Sequence, residues 1–343
     1  MTNKKIVFKE PGKVELISED FTEQINNSDE VICKNQYSLV SPGTELACLA
    51  GIESWFKLPG TPGYIAVGEV LKKGDNVNNV NIGDKVYTYG PHAEYYKINT
   101  KAFDTGMCIQ IPEGFPLNLV PFTRIGTIAM ASLRVSNIQL GDYVAVTGLG
   151  LVGNMAAQLA QLQGGEVIGV DINSSRMDIA QKCGIKNIVN SSKPGWKEEI
   201  KKLSDGEGVS TLIDATGISG VIADSLSIIS TYGEAILLGS PRGSFKTDAT
   251  EIFNHVHYIH RGSITFKGAL EWRFPTYQTD FVKHSIERNS KIVMNLINNK
   301  SLNIQPLLTH ELNPEDAAKG YEGLKNNQDK FLGVIFKWTN KPE

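Results

Sequence analysis

Apolar positions recur with two different periods along the chain. Up to about residue 122 they form short β-rich runs closed by turn residues: Ile6-Val-Phe8, Val31-Ile-Cys-Lys34, Gly68-Glu-Val-Leu71, Gly83–Tyr89 and Ala93–Ile98. This pattern predicts an all-β front half. Gly and Pro cluster at Ser41–Glu45 and Leu58–Gly63, which predicts loops with fixed, irregular backbone paths. A helical period begins near residue 123, over Arg124–Val135. Strands at Val144–Thr147, Glu166–Val170, Asn187–Val189, Thr211–Asp214, Glu234–Leu238 and Ser263–Phe266 then alternate with helices at Asn154–Leu162, Ser175–Cys183, Lys197–Leu203 and Ser219–Ser230. Such alternation predicts a parallel, doubly wound sheet of the α/β class. The tail reads as helices at Phe281–Asn298 and Asn313–Leu324 and a closing strand, Leu332–Trp338.

The junction of the first of these strands and its helix carries the sharpest signal. Gly148-Leu149-Gly150-Leu151-Val152-Gly153 follows the strand at once, and the next strand ends in Asp171, so strand, glycine turn, helix, strand and acid fit in about 30 residues. This is the dinucleotide fingerprint: Gly148 for the tight turn, Gly150 for approach of backbone N–H groups to a pyrophosphate, Gly153 for close helix packing. Asp171 would accept hydrogen bonds from the ribose hydroxyls of NAD and repel the 2′-phosphate of NADP, so NAD is the expected cofactor. Ile172 and Arg176 follow where the adenine would lie. Ligands of such sheets bind outside the carboxyl ends of the strands, which adds Ala215, Thr216, Leu238, Gly239, Ser240, Gly268, Ala269 and Leu270 to the expected crevice.

At 343 residues the chain is long enough for two cores. A net charge of −3 with 41% apolar residues indicates neither a nucleic-acid surface nor a disordered chain. The start, Met1–Lys5, does not read as a signal peptide, and no apolar run reaches the roughly 18 residues that span a bilayer. A cytoplasmic protein with no membrane partner is expected. Cys33, Cys48, Cys108 and Cys183 form no CxxC pair, so they read as reduced and mostly buried.

The layout resembles the medium-chain dehydrogenase/reductase superfamily over essentially the whole chain. The matching pieces are Pro42-Gly-Thr-Glu45, Gly63–Glu69, Gly83-Asp-Lys-Val86, His92-Ala-Glu-Tyr95 and the fingerprint. The resemblance implies a GroES-like β domain, 1–122 with 271–343, an inserted Rossmann domain, 123–270, and a homodimer or homotetramer paired through Ser263–Phe266. Zinc-dependent members hold their metal through a Cys, a His, a Glu and a further Cys or Asp. Those places read Pro42, Tyr64, Ile65 and approximately Thr127, so no metal is expected. His255, His257 and His260 have HxH spacing but no accompanying Cys or Asp cluster. The Ser-Pro-Gly-Thr-Glu and Pro-Gly-Tyr motifs look most like a zinc-lacking branch that includes bacteriochlorophyllide a dehydrogenase.

The resemblance therefore implies a zinc-independent, NAD-dependent oxidoreductase acting on a secondary alcohol or ketone of a sugar, cyclitol or similar metabolite. Without a metal the hydroxyl proton needs a side-chain carrier. Thr44 stands where relatives use a hydroxyl to contact the substrate oxygen, Tyr64 replaces the ligand histidine, and His92 has the pKa class of a general base. Glu45 and Glu69 match acids beside the site, and Trp55, Phe56, Trp272 and Arg273 are expected around an outer pocket. Two other functions remain open: a double-bond reductase of the enoyl or quinone type, and a non-catalytic NAD-binding protein.

Overall fold

The computed structural model describes residues 1–339, and the chain divides into two compact units. The first gathers Met1–Arg124, Thr276–Asn298 and the segment from Leu307 onward; the second holds Ile125–Pro275 with Asn299–Pro306.

The first unit opens on an antiparallel hairpin, β1 (Thr2–Glu10) and β2 (Lys13–Asp20), whose register sets Ile6 against Leu16 and Phe8 against Val14. Next come β3 (Glu30–Leu39) and a helix, α1 (Pro42–Leu49). The Ser41–Glu45 stretch, expected as a loop, is thus the start of a helix. Pro42 sits in its first turn, where the missing N–H is no loss, and the Glu45 carboxylate reaches back to accept from the Ser41 N–H at 2.8 Å. The unit continues with β4 (Ala66–Lys73), β5 (Lys85–Thr88), β6 (Tyr95–Asn99) and β7 (Cys108–Gln110), antiparallel where they pair.

Helix α2 (Phe122–Val135) leads into the second unit. There β8 (Tyr143–Thr147), α3 (Leu151–Gln163), β9 (Glu166–Asp171), α4 (Ser174–Lys182), β10 (Asn187–Asn190), α5 (Trp196–Leu203), β11 (Val209–Asp214), α6 (Ser219–Ser225) and β12 (Ile229–Leu237) alternate as expected. The helix expected to run to Ser230 stops at Ser225. A 3₁₀ turn takes Leu226–Ile228 into the core, and Ile229 already pairs with Val209 of β11. An unexpected helix, α7 (Ala249–His257), precedes the last strand, β13 (Thr265–Gly268). The six strands are parallel in the order β10-β9-β8-β11-β12-β13, so the chain reverses direction across the sheet between β8 and β11. Its core joins Ala145, Ile168, Val170, Leu212 and Ala235, all almost fully buried, with Ile168, Val170 and Leu212 contributing about 1.5–3 kcal/mol each.

The tail holds α8 (Ile286–Asn298), β14 (Leu308–Leu312), α9 (Ala317–Asn326) and β15 (Gly333–Lys337). Helix α8 begins five residues later than expected, beyond Phe281, whose φ of 66° is not helical. Strands β14 and β15 complete the sheet of the first unit in the order β14-β15-β3-β4-β5-β7, with β6 also on β3. Sequence reading assigned 271–343 to the first domain, yet Asn299–Pro306 packs with the second unit. Gln158 on α3 explains this: it donates to the Asn303 carbonyl at 3.2 Å and accepts from its N–H at 2.8 Å, while the Asn303 amide donates to the Lys182 carbonyl at 2.9 Å. All four cysteines are buried and outside any disulfide. Among the described residues no helix is long and apolar enough to cross a membrane.

Candidate functional site

One packing fact explains the glycine loop of the second unit: a Cβ on Gly153 would lie 1.7 Å from the carbonyl oxygen of Gly148. Only hydrogen fits, so loop and helix close directly on each other. Gly148 adopts φ 85°, a region L side chains avoid. Gly150, at the N-terminal cap of α3, borders open space: a Cβ there would meet nothing within 4 Å. The first N–H groups of α3 have no intrahelical partner and favour an anion beside this gap. Leu149 and Leu151 point into the core and offer only backbone groups; Val152 is half-buried.

Asp171 closes β9 and ties this loop together. Its Oδ2 accepts from the Leu149 N–H at 2.6 Å, and its Oδ1 from the N–H groups of Ile172 at 2.7 Å and Asn173 at 2.8 Å. A carboxylate accepts about four hydrogen bonds, so capacity is left for a ligand hydroxyl. Beside it Ile172 is 70% exposed, an apolar surface with no evident structural duty. Arg176 lies half-buried in the first turn of α4, its N–H capped by the Asn173 side chain at 3.1 Å.

Across the chain reversal the buried carboxylate of Asp214, read from the sequence only as a strand end, shapes the next turn. It accepts from the hydroxyls of Thr147 at 2.9 Å and Thr216 at 2.6 Å, and from the Gly217 N–H at 3.2 Å. Ala215 and Thr216 are half-buried, Gly239 is half-buried, and Ser240, Gly268 and Leu270 are exposed. Leu238 and Ala269 differ from expectation: their side chains are packed in the core, leaving only main-chain atoms to meet a ligand.

In the first unit α1 and the turn after Gly63 gather three hydroxyls. The Tyr64 phenol donates to Ser41 Oγ at 2.6 Å, and the Thr44 hydroxyl lies near enough to favour its ionised form. Thr44 and Tyr64 are half-buried. Over them lies a residue that sequence reading used only as the start of a helix: Arg124, 3% exposed. Its guanidinium carbon is 5.4 Å from the centre of the Tyr64 ring and 4.1 Å from that of Tyr89, and its Nη1 donates to the Tyr89 hydroxyl at 2.7 Å. Burial pushes the Tyr64 phenol above its ordinary pKa, while the Arg124 charge and the hydrogen bonds of Ser41 and Thr44 pull it back.

His92 does not join this group, and its expected role as general base is corrected. The ring is fully buried, with Nδ1 2.7 Å from Ser38 Oγ and Nε2 2.9 Å from Glu45 Oε2. Tyr321 donates to the same carboxylate oxygen at 2.6 Å, and Trp338 Nε1 to Ser38 Oγ at 2.8 Å. An imidazole with both nitrogens engaged by buried partners has no atom to offer a substrate. It holds Glu45 instead, and through Glu45 the N-terminus of α1. Glu69 is spent on a 2.5 Å ion pair with Lys85. Phe56 packs edge-on against Phe8 at 5.8 Å, and Trp55 is exposed; Arg273 donates to the Gly268 carbonyl at 3.0 Å.

The superfamily's zinc positions offer a prolyl ring in the first turn of α1, the phenol of Tyr64, the fully buried aliphatic Ile65 and the buried hydroxyl of Thr127. Zinc needs thiolate, imidazole or carboxylate donors, and this set does not fit it. Among the described residues no group of three or more His, Cys, Asp and Glu is placed to hold a metal ion. His255 and His257 lie on a helix rather than a strand. His255 Nδ1 is 2.8 Å from the Arg261 carbonyl, while His257 and His260 both pack on Tyr258, at 4.9 and 5.2 Å.

With fold and sites described, the relationships of the chain are clear. Residues 152–284 match the family described as zinc-binding dehydrogenase. D-guloside 3-dehydrogenase of Escherichia coli strain K12 is 29% identical over 277 residues, which cover 80% of this chain and 77% of that protein. Two solved structures share the fold over 98% of this chain and 99% of theirs. An alcohol dehydrogenase of E. coli CFT073 in complex with NADH superposes with a TM-score of 0.80 at 15% identity. A protein of Sinorhizobium meliloti 1021 described as a zinc-binding dehydrogenase, bound to NADP, gives 0.79 at 18%. The chain is thus similar to the medium-chain dehydrogenases in sequence, and it shares their fold, a GroES-like β domain and a Rossmann domain.

Proposed function

We propose that this protein is an NAD-dependent, zinc-independent oxidoreductase that interconverts a secondary alcohol and its ketone on a small polyol-like metabolite, a sugar or cyclitol. The observation that carries the reading is the placement of Asp171. Structural neighbours hold either NADH or NADP, so the fold alone does not choose between them, whereas a buried carboxylate at the end of β9 repels a 2′-phosphate and accepts from ribose hydroxyls. The cofactor would be held by the N–H groups at Gly150 and the start of α3, by Asp171 and Ile172, and by the strand-end turns at Ala215, Thr216, Gly239, Ser240 and Gly268. Bound there, it would supply hydride exchange. Thr44 and Tyr64 would handle the substrate proton in place of a metal-bound oxygen, because the metal positions carry no donors. The sugar-like substrate class is supported by the D-guloside 3-dehydrogenase relative.

The test is titration of the purified protein with NADH and NADPH by nicotinamide fluorescence, followed by a screen of sugars, polyols and cyclitols for NADH formation. Tighter binding of NADH, and turnover of a secondary alcohol, are expected. Preference for NADPH together with reduction of a conjugated double bond would replace this reading with an enoyl or quinone reductase; NADH binding with no turnover across the screen would leave a non-catalytic NAD-binding protein.

A further inference from the structure

A buried guanidinium is expensive to maintain, and Arg124 is buried between two tyrosine faces. The cost is offset in part by cation–π attraction, about 2 kcal/mol for a desolvated pair, and by the hydrogen bond to Tyr89. Unlike lysine or histidine, arginine cannot shed its proton in a protein, so the positive charge over Tyr64 persists at every working pH. The Tyr64 oxygen is bonded to Ser41 Oγ, with the Thr44 hydroxyl beside it. An opposite charge about 4–6 Å away favours the ionised form of such a group.

We propose that Arg124 is the fixed cation that stabilises negative charge on Tyr64, making Tyr64 the proton donor and acceptor of this site. Arg124 acts through Tyr64 and is a positioning residue. The inference rests on the oxidoreductase reading and gives it the charge that a metal supplies in zinc-dependent relatives. In the carbonyl-reducing direction the substrate oxygen takes the Thr44 hydroxyl proton while Thr44 takes that of Tyr64. One O–H bond would form on the substrate oxygen and one break on Tyr64, a hydride from the reduced nicotinamide would supply the new C–H bond at the carbonyl carbon, and the phenolate left behind would face Arg124. Water reprotonates it after release, and alcohol oxidation runs the same steps backward. The groups facing the phenol are Arg124 from α2, Ser41 at the N-cap of α1, and Thr44 and Glu45 from α1, the Glu45 charge acting in the opposite direction. Tyr89 holds the guanidinium in place.

The test needs neither substrate nor cofactor. Protein grown with 3-fluorotyrosine, whose phenol is more acidic than tyrosine's, is followed by fluorine NMR through pH, with the Tyr64 signal assigned from Tyr64→Phe. Replacing the cation in Arg124→Met should move the Tyr64 titration upward by about 1–3 pH units, and Arg124→Lys, which keeps the charge, should move it less. If Arg124→Met does not fold, Arg124→Lys, whose shorter ammonium sits farther from the phenol, and Tyr89→Phe, which loosens the guanidinium, carry the test, and each should still raise the titration. A Tyr64 titration unchanged in every folded variant overturns the proposal. NADH affinity of the wild-type protein tests the parent reading separately, because it can fail while Tyr64 still titrates with Arg124, and the reverse.

Discussion

The amide of Leu149 donates to the carboxylate of Asp171 at 2.6 Å, across 22 residues of sequence. The acid proposed to read the ribose is therefore also a brace of the glycine loop.

Asp171→Asn retains one acceptor oxygen and loses the charge. It should weaken NADH binding by about 1–3 kcal/mol, the scale of hydrogen bonds to a charged acceptor, and narrow the gap to NADPH. Asp171→Ala, which also releases the loop amides, should lose more. Fluorescence titrations with both nucleotides measure this, and unchanged NADH affinity in both variants would mean that the acid is misassigned.

Thr44→Val should leave the fold and NADH affinity intact and slow turnover of the identified alcohol at least tenfold, about 1.4 kcal/mol of transition-state stabilisation. Equal losses in kcat and kcat/KM would place the hydroxyl in the transition state rather than in ground-state binding. A KM effect alone would reduce it to a binding contact.

His92→Ala leaves the buried Glu45 carboxylate without one of its partners. Leaving a buried acceptor without its partner costs about 1–3 kcal/mol, so urea denaturation should show a drop in midpoint, smaller in His92→Gln. If stability is kept and only the pH profile of turnover changes, His92 is catalytic after all.

Metal analysis of the purified protein should find well under one zinc per chain, and dialysis against a chelator should leave turnover unchanged. Stoichiometric, tightly held zinc would sink the zinc-independent reading.

Light scattering at micromolar concentration should show at least a dimer. Strand β13 is an edge of its sheet, unpaired edges are managed by covering them, and the adjacent α7 segment exposes Phe253, Val256 and Ile259. A monomer would refute the pairing.

Where sequence reading succeeded, the cause is local. The strand–turn–helix–strand run around Gly148–Asp171 announces itself because turn, packing and charge each demand a particular residue within a short span. The parallel sheet was legible for the same reason, since buried strands are continuous apolar runs. The failures come from non-local partners. Ser41–Glu45 looked like a loop because Pro and Gly punctuate it, and only the carboxylate of Glu45, itself held by His92 and Tyr321, shows why a helix starts there. His92 looked available because nothing in its neighbours announces Ser38 and Glu45. Arg124 gave no signal at all: its meaning lies in Tyr64 and Tyr89, far back in the chain. Leu238 and Ala269 were placed by position on the strands, which says where the backbone ends but not which way a side chain turns.

The bonds among Ser38, Glu45, His92, Tyr321 and Trp338 also set a timetable for biosynthesis. The parallel sheet of the second unit is complete once Gly268 has been made. By contrast, the polar knot that seats α1 stays open until Trp338 leaves the ribosome, and β3 waits as long for β15. The second unit's sheet can thus form on the nascent chain while the first unit is still unfinished, and a premature stop before β15 would leave β3 and the seat of α1 without their last partners while sparing that sheet.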